Sequence, residues 1–274
     1  MENKHLVIDG PYLAHKSYCA PYKLTTSTGL DSTMLHQFFR SLKSIHSKVK
    51  PDDIYIAWES HGTKSWRKEK YPSYKKNRST VLRTEFWDYL SDVQLLCYFL
   101  GIKQFYSSGN EADDVIGRIV KSIKGEHIIY TVDKDIMQLI DDGRVSLYDG
   151  KKSYHAVDVL NKFSVLPKQI PDLLAIWGDV SDNIEGIKGY GMRHSSKLLE
   201  KYGRVEDIPM SESISKYRER ILLNKSLTKL NCDCCLLPVP SNNFETSETL
   251  ETLLDKYELK VIKRDIEEYK ELGK

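Results

Sequence analysis

Short apolar runs and amphipathic stretches alternate through the first half of this chain. Leu6-Val7-Ile8 has the form of a buried strand and ends in Asp9-Gly10. Met34, Leu35, Phe38, Phe39, Leu42 and Ile45 recur on one helical face, which predicts a helix within residues 30–48, stopped by Pro51. Ile54 to Trp58 reads as a second strand, and it too ends in an acid, Glu59. Phe86, Trp87, Leu90, Val93, Leu96 and Leu100 predict a helix over 85–100, closed by Gly101. Ile102 to Tyr106 reads as a third strand, and Val115, Ile116, Ile119, Val120 and Ile123 form the apolar face of the helix after it. His127 to Val132 is a fourth strand that runs into Asp133-Lys134-Asp135, and Val145 to Tyr148 a fifth. Strands alternating with helices predict an α/β domain over residues 1–155, with a mostly parallel central sheet flanked by helices.

Beyond residue 155 the pattern turns helical, and residues 156–274 are expected to form a helical region. Pro167 and Pro171 punctuate it. Leu173 to Gly178 leads into Asp179-Val180-Ser181-Asp182-Asn183, and Gly186, Gly189 and Gly191 follow before a helix over 195–202. Residues 210–235 have weaker helical periodicity, 241–243 look like a loop, and the tail from 246 reads as a pair of charged helices.

Composition narrows the class. The chain has 274 residues, 40% hydrophobic and 29% charged, the balance of a globular protein in water. No apolar run reaches the roughly 18 residues that cross a bilayer, and the start shows no signal-peptide pattern, so no membrane is expected. Five cysteines, three of them crowded at Cys232, Cys234 and Cys235, fit a reduced cytoplasmic protein better than a disulfide scaffold. That trio lacks the second half of a zinc pattern. The small net charge of +2 hides an asymmetry. Residues 60–84 hold eight basic residues against the single acid Glu69, with Trp66, Tyr71 and Tyr74 between them. Such a segment suits phosphates by charge and unpaired bases by stacking.

The acids carry the chemistry. Glu111-Ala112-Asp113-Asp114 places three carboxylates at a helix start, where an acid can also serve as cap and dipole partner. Asp9, Glu59, this trio and the Asp133/Asp135 pair each follow a strand's C-terminal end. In an open α/β sheet those ends form one edge with one crevice. Asp179 and Asp182, three apart, would face the same way from one helical turn. Nine acids without counter-charges would repel, and bound divalent cations remove that cost. An all-oxygen donor set suits hard ions such as Mg²⁺ or Mn²⁺. The histidines are scattered, no nucleoside-triphosphatase phosphate loop is present, and the glycine run at 186–191 follows a helix rather than a strand, against a dinucleotide site. Two hard cations beside a basic aromatic segment imply phosphodiester hydrolysis on a nucleic acid.

Five motifs, in order, carry a family resemblance. Val7-Ile8-Asp9-Gly10 comes first, then Ser65 to Glu69 with Tyr71 to Arg78, then Glu111 to Gly117, Thr131 to Asp135, and Gly178 to Gly191. Together they resemble the 5′ nuclease family, which includes flap endonucleases, the 5′-nuclease domain of bacterial DNA polymerase I and stand-alone bacteriophage 5′–3′ exonucleases. The resemblance covers residues 5–205, and the length is most similar to that of the stand-alone enzymes. It implies a PIN-like fold with a helical arch over about 60–84 and a helix–three-turn–helix element over about 173–200. Asp9, Glu111, Asp113 and Asp114 would serve a first Mg²⁺, directly or through water. Asp133 and Asp135 would lie near both ions, and Asp179 and Asp182 would serve the second. Glu59, a further candidate metal ligand, stands where the family usually has Asp; one more methylene moves its carboxylate by about 1.5 Å.

The same resemblance assigns roles to basic residues. Lys75 and Arg78 match arch residues that contact the scissile phosphate, Lys75 as an electrophile in the transition state. Lys16 matches a basic residue often found at the active site. Arg67, Tyr74 and Lys76 would meet DNA from the arch, Tyr74 by stacking on the substrate or helping to position it. Gly186, Gly189 and Gly191 would let backbone amides approach duplex phosphates, and Lys188, Arg193, His194 and Lys197 would extend that contact. A loop of this kind can also hold a monovalent cation, typically K⁺. The implied activity is 5′–3′ exonuclease and 5′-flap endonuclease cleavage of DNA near single-strand/duplex junctions, leaving 5′-phosphates. The protein would be a monomer acting on DNA with a free 5′ end or flap, with RNA–DNA hybrids as further substrates. Two rivals are a DNA-binding module that has lost catalysis and a PIN-like endoribonuclease; the latter class is shorter and uses fewer acids.

Overall fold

A buried strand that must hand its chain to a helix within one residue sets the centre of the molecule. The computed structural model describes residues 3–60, 63–77, 84–239 and 249–273. Strand β1, Lys4–Asp9, passes directly into helix α1, Gly10–Tyr18. Asp9 caps α1, and Pro11 in the first turn donates no hydrogen bond there. A Cβ on Gly10 would lie 2.5 Å from Trp58 Cε3, so only glycine lets β1 turn this tightly under that ring. Helix α2, Thr33–Val49, buries Met34, Leu35, Phe38, Phe39, Leu42 and Ile45 and ends at Lys50 in the left-handed conformation. Next come β2, Asp53–Ala57, the short α3, Trp66–Lys70, and α4, Thr84–Phe99.

Strand β3, Lys103–Tyr106, leads to α5, Ala112–Ser122, which opens with a reciprocal cap between Glu111 and Asp114. Strand β4, Glu126–Tyr130, stops short of the expected Val132, and a 3₁₀ turn over Asp135–Leu139 follows. Strands β5, Val145–Tyr148, and β6, Ser153–Tyr154, precede α6, Ala156–Phe163, and α7, Ile170–Trp177. A two-strand hairpin, β7 at Gly178–Asp179 and β8 at Ile184–Glu185, precedes α8, Met192–Tyr202. Helix α9, Arg218–Thr228, and strand β9, Leu237–Pro238, follow. The tail forms three short helices rather than two: α10, Leu250–Lys256, α11, Lys260–Arg264, and α12, Ile266–Lys270.

The main sheet runs β6-β5-β4-β1-β2-β3-β9. β1 to β5 pair in parallel, and the two-residue edges β6 and β9 are antiparallel. Successive strands step away from β1 in opposite directions, so β1 and β4 flank the switch point where α/β sheets open their crevice. Alternation along β1 separates two cores. Leu6 and Ile8 face α2, α4 and the tail helices, and Val7 faces α5, α7 and α9. The helical region shares its core with the sheet. Leu173, Leu174 and Ile176 of α7 share a core with Val115 and Ile116 of α5, and the tail returns to the opposite face. Buried Asp92 anchors that return, accepting from Tyr257 Oη at 2.5 Å and Lys256 Nζ at 2.9 Å.

Candidate metal centre

Asp9 ends β1, and each of its two oxygens accepts one hydrogen bond within the fold, leaving a lone pair on each. Oδ1 accepts from Tyr12 N at 3.0 Å and Oδ2 from Thr131 Oγ1 at 2.8 Å, which ties the end of β1 to the end of β4. Burial raises its pKa, the two hydrogen bonds restrain the rise, and Asp133 and Glu59 add to it, giving about 6. Asp113 sits on the first turn of α5. Burial, then Asp133 and Asp9, push its carboxyl well above the usual range, with Lys75 opposing. Asp133 Oδ1 accepts from Asp135 N at 2.9 Å, so the 3₁₀ turn after β4 aims both acids. Asp135 is buried, and its Oδ1 has no hydrogen-bond partner. Burial and Asp133 lift its pKa, Lys134 opposes, and Asp179 and Asp182 add, giving about 8.

The second group of acids departs from expectation. Asp179 and Asp182 are not joined by a helical turn; they lie in β7 and in the turn of the β7–β8 hairpin. Gly178, at φ 91°, starts that hairpin, and a side chain there would strike Gly186. The hairpin still delivers both carboxylates. Oxygens of Asp135, Asp179 and Asp182, all three residues buried, lie within 4.8 Å of one another. Burial would raise Asp179, but Lys134 and Ser181 hold it below the usual range. Lys134 Nζ is 2.7 Å from Asp179 Oδ2, 3.2 Å from Ser181 Oγ and 3.7 Å from Asp135 Oδ1.

On the other wall the acids are matched. Arg67 is 2% exposed and grips both oxygens of Asp114, at 2.6 and 2.8 Å. Its Nε donates to Leu227 O at 2.8 Å. Asp114 also accepts from Asn231 N and Glu111 N. Two expectations are corrected here: Arg67 is a buried structural cation rather than a DNA contact, and Asp114 has no oxygen left for a metal. Tyr74 is corrected too. It is 2% exposed and packs with Ile184 and Leu227, so it cannot stack on a base. Its hydroxyl lies 2.9 Å from Glu111 Oε2 and 2.8 Å from Asp182 Oδ2 and can donate to one at a time. Lys75 Nζ serves Glu111 at 2.8 Å. Burial pushes Glu111 up, but Lys75, Arg67 and Tyr74 hold it below the usual range.

The remaining expected residues divide by place. Segment 71–77 is pinned to the hairpin: Lys75 N donates to Asp182 O, Asn77 Nδ2 to Val180 O and Asn183 Nδ2 to Ser73 O. Lys76 points to solvent there. The arch expected over 60–84 is described only as α3 and this turn; Arg78 lies outside the described residues. Glu59 is exposed two residues past β2, and its field reaches Asp9. Lys16 is exposed on α1 and donates to Tyr130 Oη at 2.8 Å. Lys188, Arg193, His194 and Lys197 are exposed beside Gly189 and Gly191, where a side chain would meet nothing within 4 Å. Gly186 is corrected to a packing role, since a Cβ there would lie 2.0 Å from Trp177 O. Thr131 and Lys134 were missed as site residues. Both lie in the strand-end motif Thr131-Val132-Asp133-Lys134-Asp135, and that place is the signal the sequence holds for them.

The donor chemistry fits hard divalent cations. The clustered oxygens are carboxylates, an orphaned one is buried among them, and acids on two walls are lifted in pKa by burial and then by one another. Asp9, Asp113 and Asp133 would hold a cation on one side, and Asp135, Asp179 and Asp182 on the other.

A parallel sheet whose carboxyl edge is loaded with acids, beside a basic glycine loop, defines a cation-dependent nuclease. Residues 4–164 match the 5′-3′ exonuclease, N-terminal resolvase-like domain, and residues 165–252 the 5′-3′ exonuclease, C-terminal SAM fold. The chain belongs to the 5′-3′ exonuclease family. It is 31% identical over 244 residues to a 5′-3′ exonuclease of Mycoplasmopsis pulmonis, covering 83% of this chain and 80% of that one. A 5′-3′ exonuclease of Aquifex aeolicus is 32% identical over 209 residues, 74% of this chain and 71% of its own. The DNA polymerase I of Caldicellulosiruptor bescii is 30% identical over 252 residues; those cover 84% of this chain but only 29% of the polymerase. In fold, the chain is similar to the bacteriophage T5 D15 protein co-crystallised with metal ions, with a TM-score of 0.70 at 22% identity, covering 95% of this chain and 98% of that one. Among the described residues no helix is long and apolar enough to cross a membrane.

Proposed function

We propose that this protein is a divalent-cation-dependent 5′–3′ exonuclease that also cuts 5′ flaps, hydrolysing DNA phosphodiesters near single-strand/duplex junctions and leaving 5′-phosphates. The observation that carries the reading is the meeting of Asp135, Asp179 and Asp182, from two separate segments, in one buried cluster with an unsatisfied oxygen. Mg²⁺ is the preferred resident ion and Mn²⁺ its substitute, two per site. When bound, such ions polarise the scissile phosphate and make water a nucleophile at neutral pH.

The chain's own residues do the rest. Asp9 and Asp133 are fixed by Thr131, Tyr12 and the 3₁₀ turn, so their carboxylates need no reorganisation. Lys75 reaches the acids on a left-handed backbone, φ 54°, locked by the hairpin carbonyl of Asp182. Its ammonium can leave Glu111 for a phosphate oxygen and offset charge there. Lys16 and Lys76 add positive charge around that path, and Arg78, outside the described residues, is the further arginine expected to contact the scissile phosphate. The exposed loop at Gly189–Gly191 and the start of α8, with Lys188, Arg193, His194 and Lys197, grip a duplex by its phosphates. The loop carbonyls suit K⁺. DNA with a free 5′ end or flap is the substrate, RNA–DNA hybrids are cut as well, and the protein works as a monomer. Five free thiols support the reading of a protein that works in a reducing cytoplasm.

The test is cleavage of an end-labelled 5′-flap duplex, a blunt duplex and an RNA–DNA hybrid in Mg²⁺ or Mn²⁺. The double change Asp133→Asn with Asp135→Asn abolishes cleavage of all three while flap-DNA binding survives. Full activity in that variant overturns the proposal.

A further inference from the structure

Lys134 is the one lysine seen bonding directly to the hairpin acids among the described residues, apart from Lys75 at 3.9 Å from Asp182. Its position is specific. The ammonium lies 2.7 Å from Asp179 Oδ2 and 3.2 Å from Ser181 Oγ, and 3.7 Å from the otherwise unpartnered Asp135 Oδ1. It therefore spans two of the three carboxylates whose oxygens cluster. The acids themselves are immobile. Asp135 and Asp179 are buried, and Ser181 N and Oγ both donate to Asp179 Oδ1. The Lys134 side chain is 27% exposed against 12% for Asp135 and 2% for Asp179, so it has a readier route into solvent than the acids it bonds.

We propose that Lys134 is a built-in counter-ion for the hairpin acids, which a divalent cation must displace to occupy them. A cation and an ammonium cannot both take Asp179 Oδ2 at close range, because like charges a few ångströms apart repel. Lys134 then sets how weakly this half of the site holds its ion, and it keeps the hairpin acids in place until the ion arrives. It is a positioning residue for the cation. This inference rests on the proposed reading of the acids as a cation site. It goes beyond it in naming the group that competes.

The test is a Mn²⁺ titration of the full chain without DNA, followed by calorimetry and by the electron paramagnetic resonance of free Mn²⁺. Wild type is compared with Lys134→Met, Lys134→Gln and Lys134→Arg, and with Asp179→Asn plus Asp182→Asn as the control. The weaker Mn²⁺ binds about tenfold more tightly to Lys134→Met and Lys134→Gln, as a lost competitor requires, and Lys134→Arg stays near wild type. The uncharged variants also melt lower than wild type in chelator and recover with Mn²⁺. If one fails to fold in chelator, Mn²⁺-driven refolding reads the same affinity. Equal or weaker binding in both uncharged variants overturns the counter-ion role while leaving the cation site standing. A control that binds as wild type does, or no binding in any protein, overturns the cation site and the counter-ion role with it.

Discussion

Asp113 and Asp114 are neighbours on the first turn of α5, and their surroundings are opposites. A step of one residue turns a helix by about 100°, so the two carboxylates leave α5 on different sides. Asp114 points inward to a full complement of donors, with Arg67 taking both oxygens and Asn231 N and Glu111 N completing the shell. Asp113 points to Asp9 and Asp133, where burial and then these like charges drive its carboxyl up against the pull of Lys75. One side of the helix start is finished as a protein interior. The other is left short of positive charge, and that deficit marks the place for a ligand the chain does not supply.

The contrast is broken most directly at these two positions. Asp113→Asn removes a repulsive charge, so the cation-free protein melts no lower than wild type, while kcat for flap cleavage falls on the order of 10³-fold. Asp114→Asn strands the buried Arg67 guanidinium and costs about 3–5 kcal/mol of stability. Urea unfolding in chelator, beside single-turnover cleavage, separates the two; variants that behave alike would dissolve the distinction.

A similar contrast holds between the two cations of the 64–77 segment. Arg67→Met leaves Asp114 buried and unpaired, again at about 3–5 kcal/mol. Lys75 is 13% exposed, and Glu111 keeps Arg67 and Tyr74 when it is lost. Lys75→Met should therefore shift stability by about 1 kcal/mol or less. Its kcat should fall on the order of 10²-fold with DNA affinity within about threefold. A fall in affinity alone would assign Lys75 to binding rather than to the reacting phosphate.

These pairs also show what a sequence can carry. The apolar runs, the acids that end them and the helix faces are local patterns, and β1 to β5, α2, α4 and α5 follow them closely. The gathering of acids from separate segments was legible because parallel strands send their carboxyl ends to one edge. Which acid is neutralised was not. Arg67 meets Asp114 across 47 positions, and nothing local marks that arginine as buried among basic neighbours meant for solvent. Asp179 and Asp182 looked helical because i, i+3 spacing is shared by a helical turn and a tight hairpin; Gly178 at φ 91° decides for the hairpin. Edges of two residues, as in β6 and β9, are too short to have a period.

The uncompensated side should also announce itself in pH. Asp9 rises from 3.8 to about 6 and Asp135 from 3.8 to about 8 in the cation-free fold. Both bind protons more readily folded than unfolded, so their stabilisation is complete below about pH 4 and is lost as pH climbs through 6 and then 8. Cation-free stability should fall by on the order of 5 kcal/mol between pH 5 and pH 8, and saturating Mg²⁺ should flatten the slope. Cation binding near pH 7 should release protons, visible as a buffer-dependent heat. A flat profile in chelator would mean the acids are already neutralised within the protein.

The smallest effects lie in the glycine loop, where the same finished-versus-open contrast recurs. Gly186 is closed in: a Cβ would sit 2.0 Å from the carbonyl of Trp177, backbone that cannot swing aside. Gly186→Ala must therefore shift the hairpin that carries Asp179 and Asp182, costing about 2 kcal/mol and lowering cleavage with it. Gly189 is open, with nothing near a new methyl, but its φ of 88° penalises any side chain by about 1 kcal/mol. Gly189→Ala should lose that much stability with Mn²⁺ affinity unchanged, since the loop does not touch the acids. Thermal melts of both variants with and without Mn²⁺ separate the cases: the ion's stabilising shift shrinks for Gly186→Ala and is kept whole for Gly189→Ala.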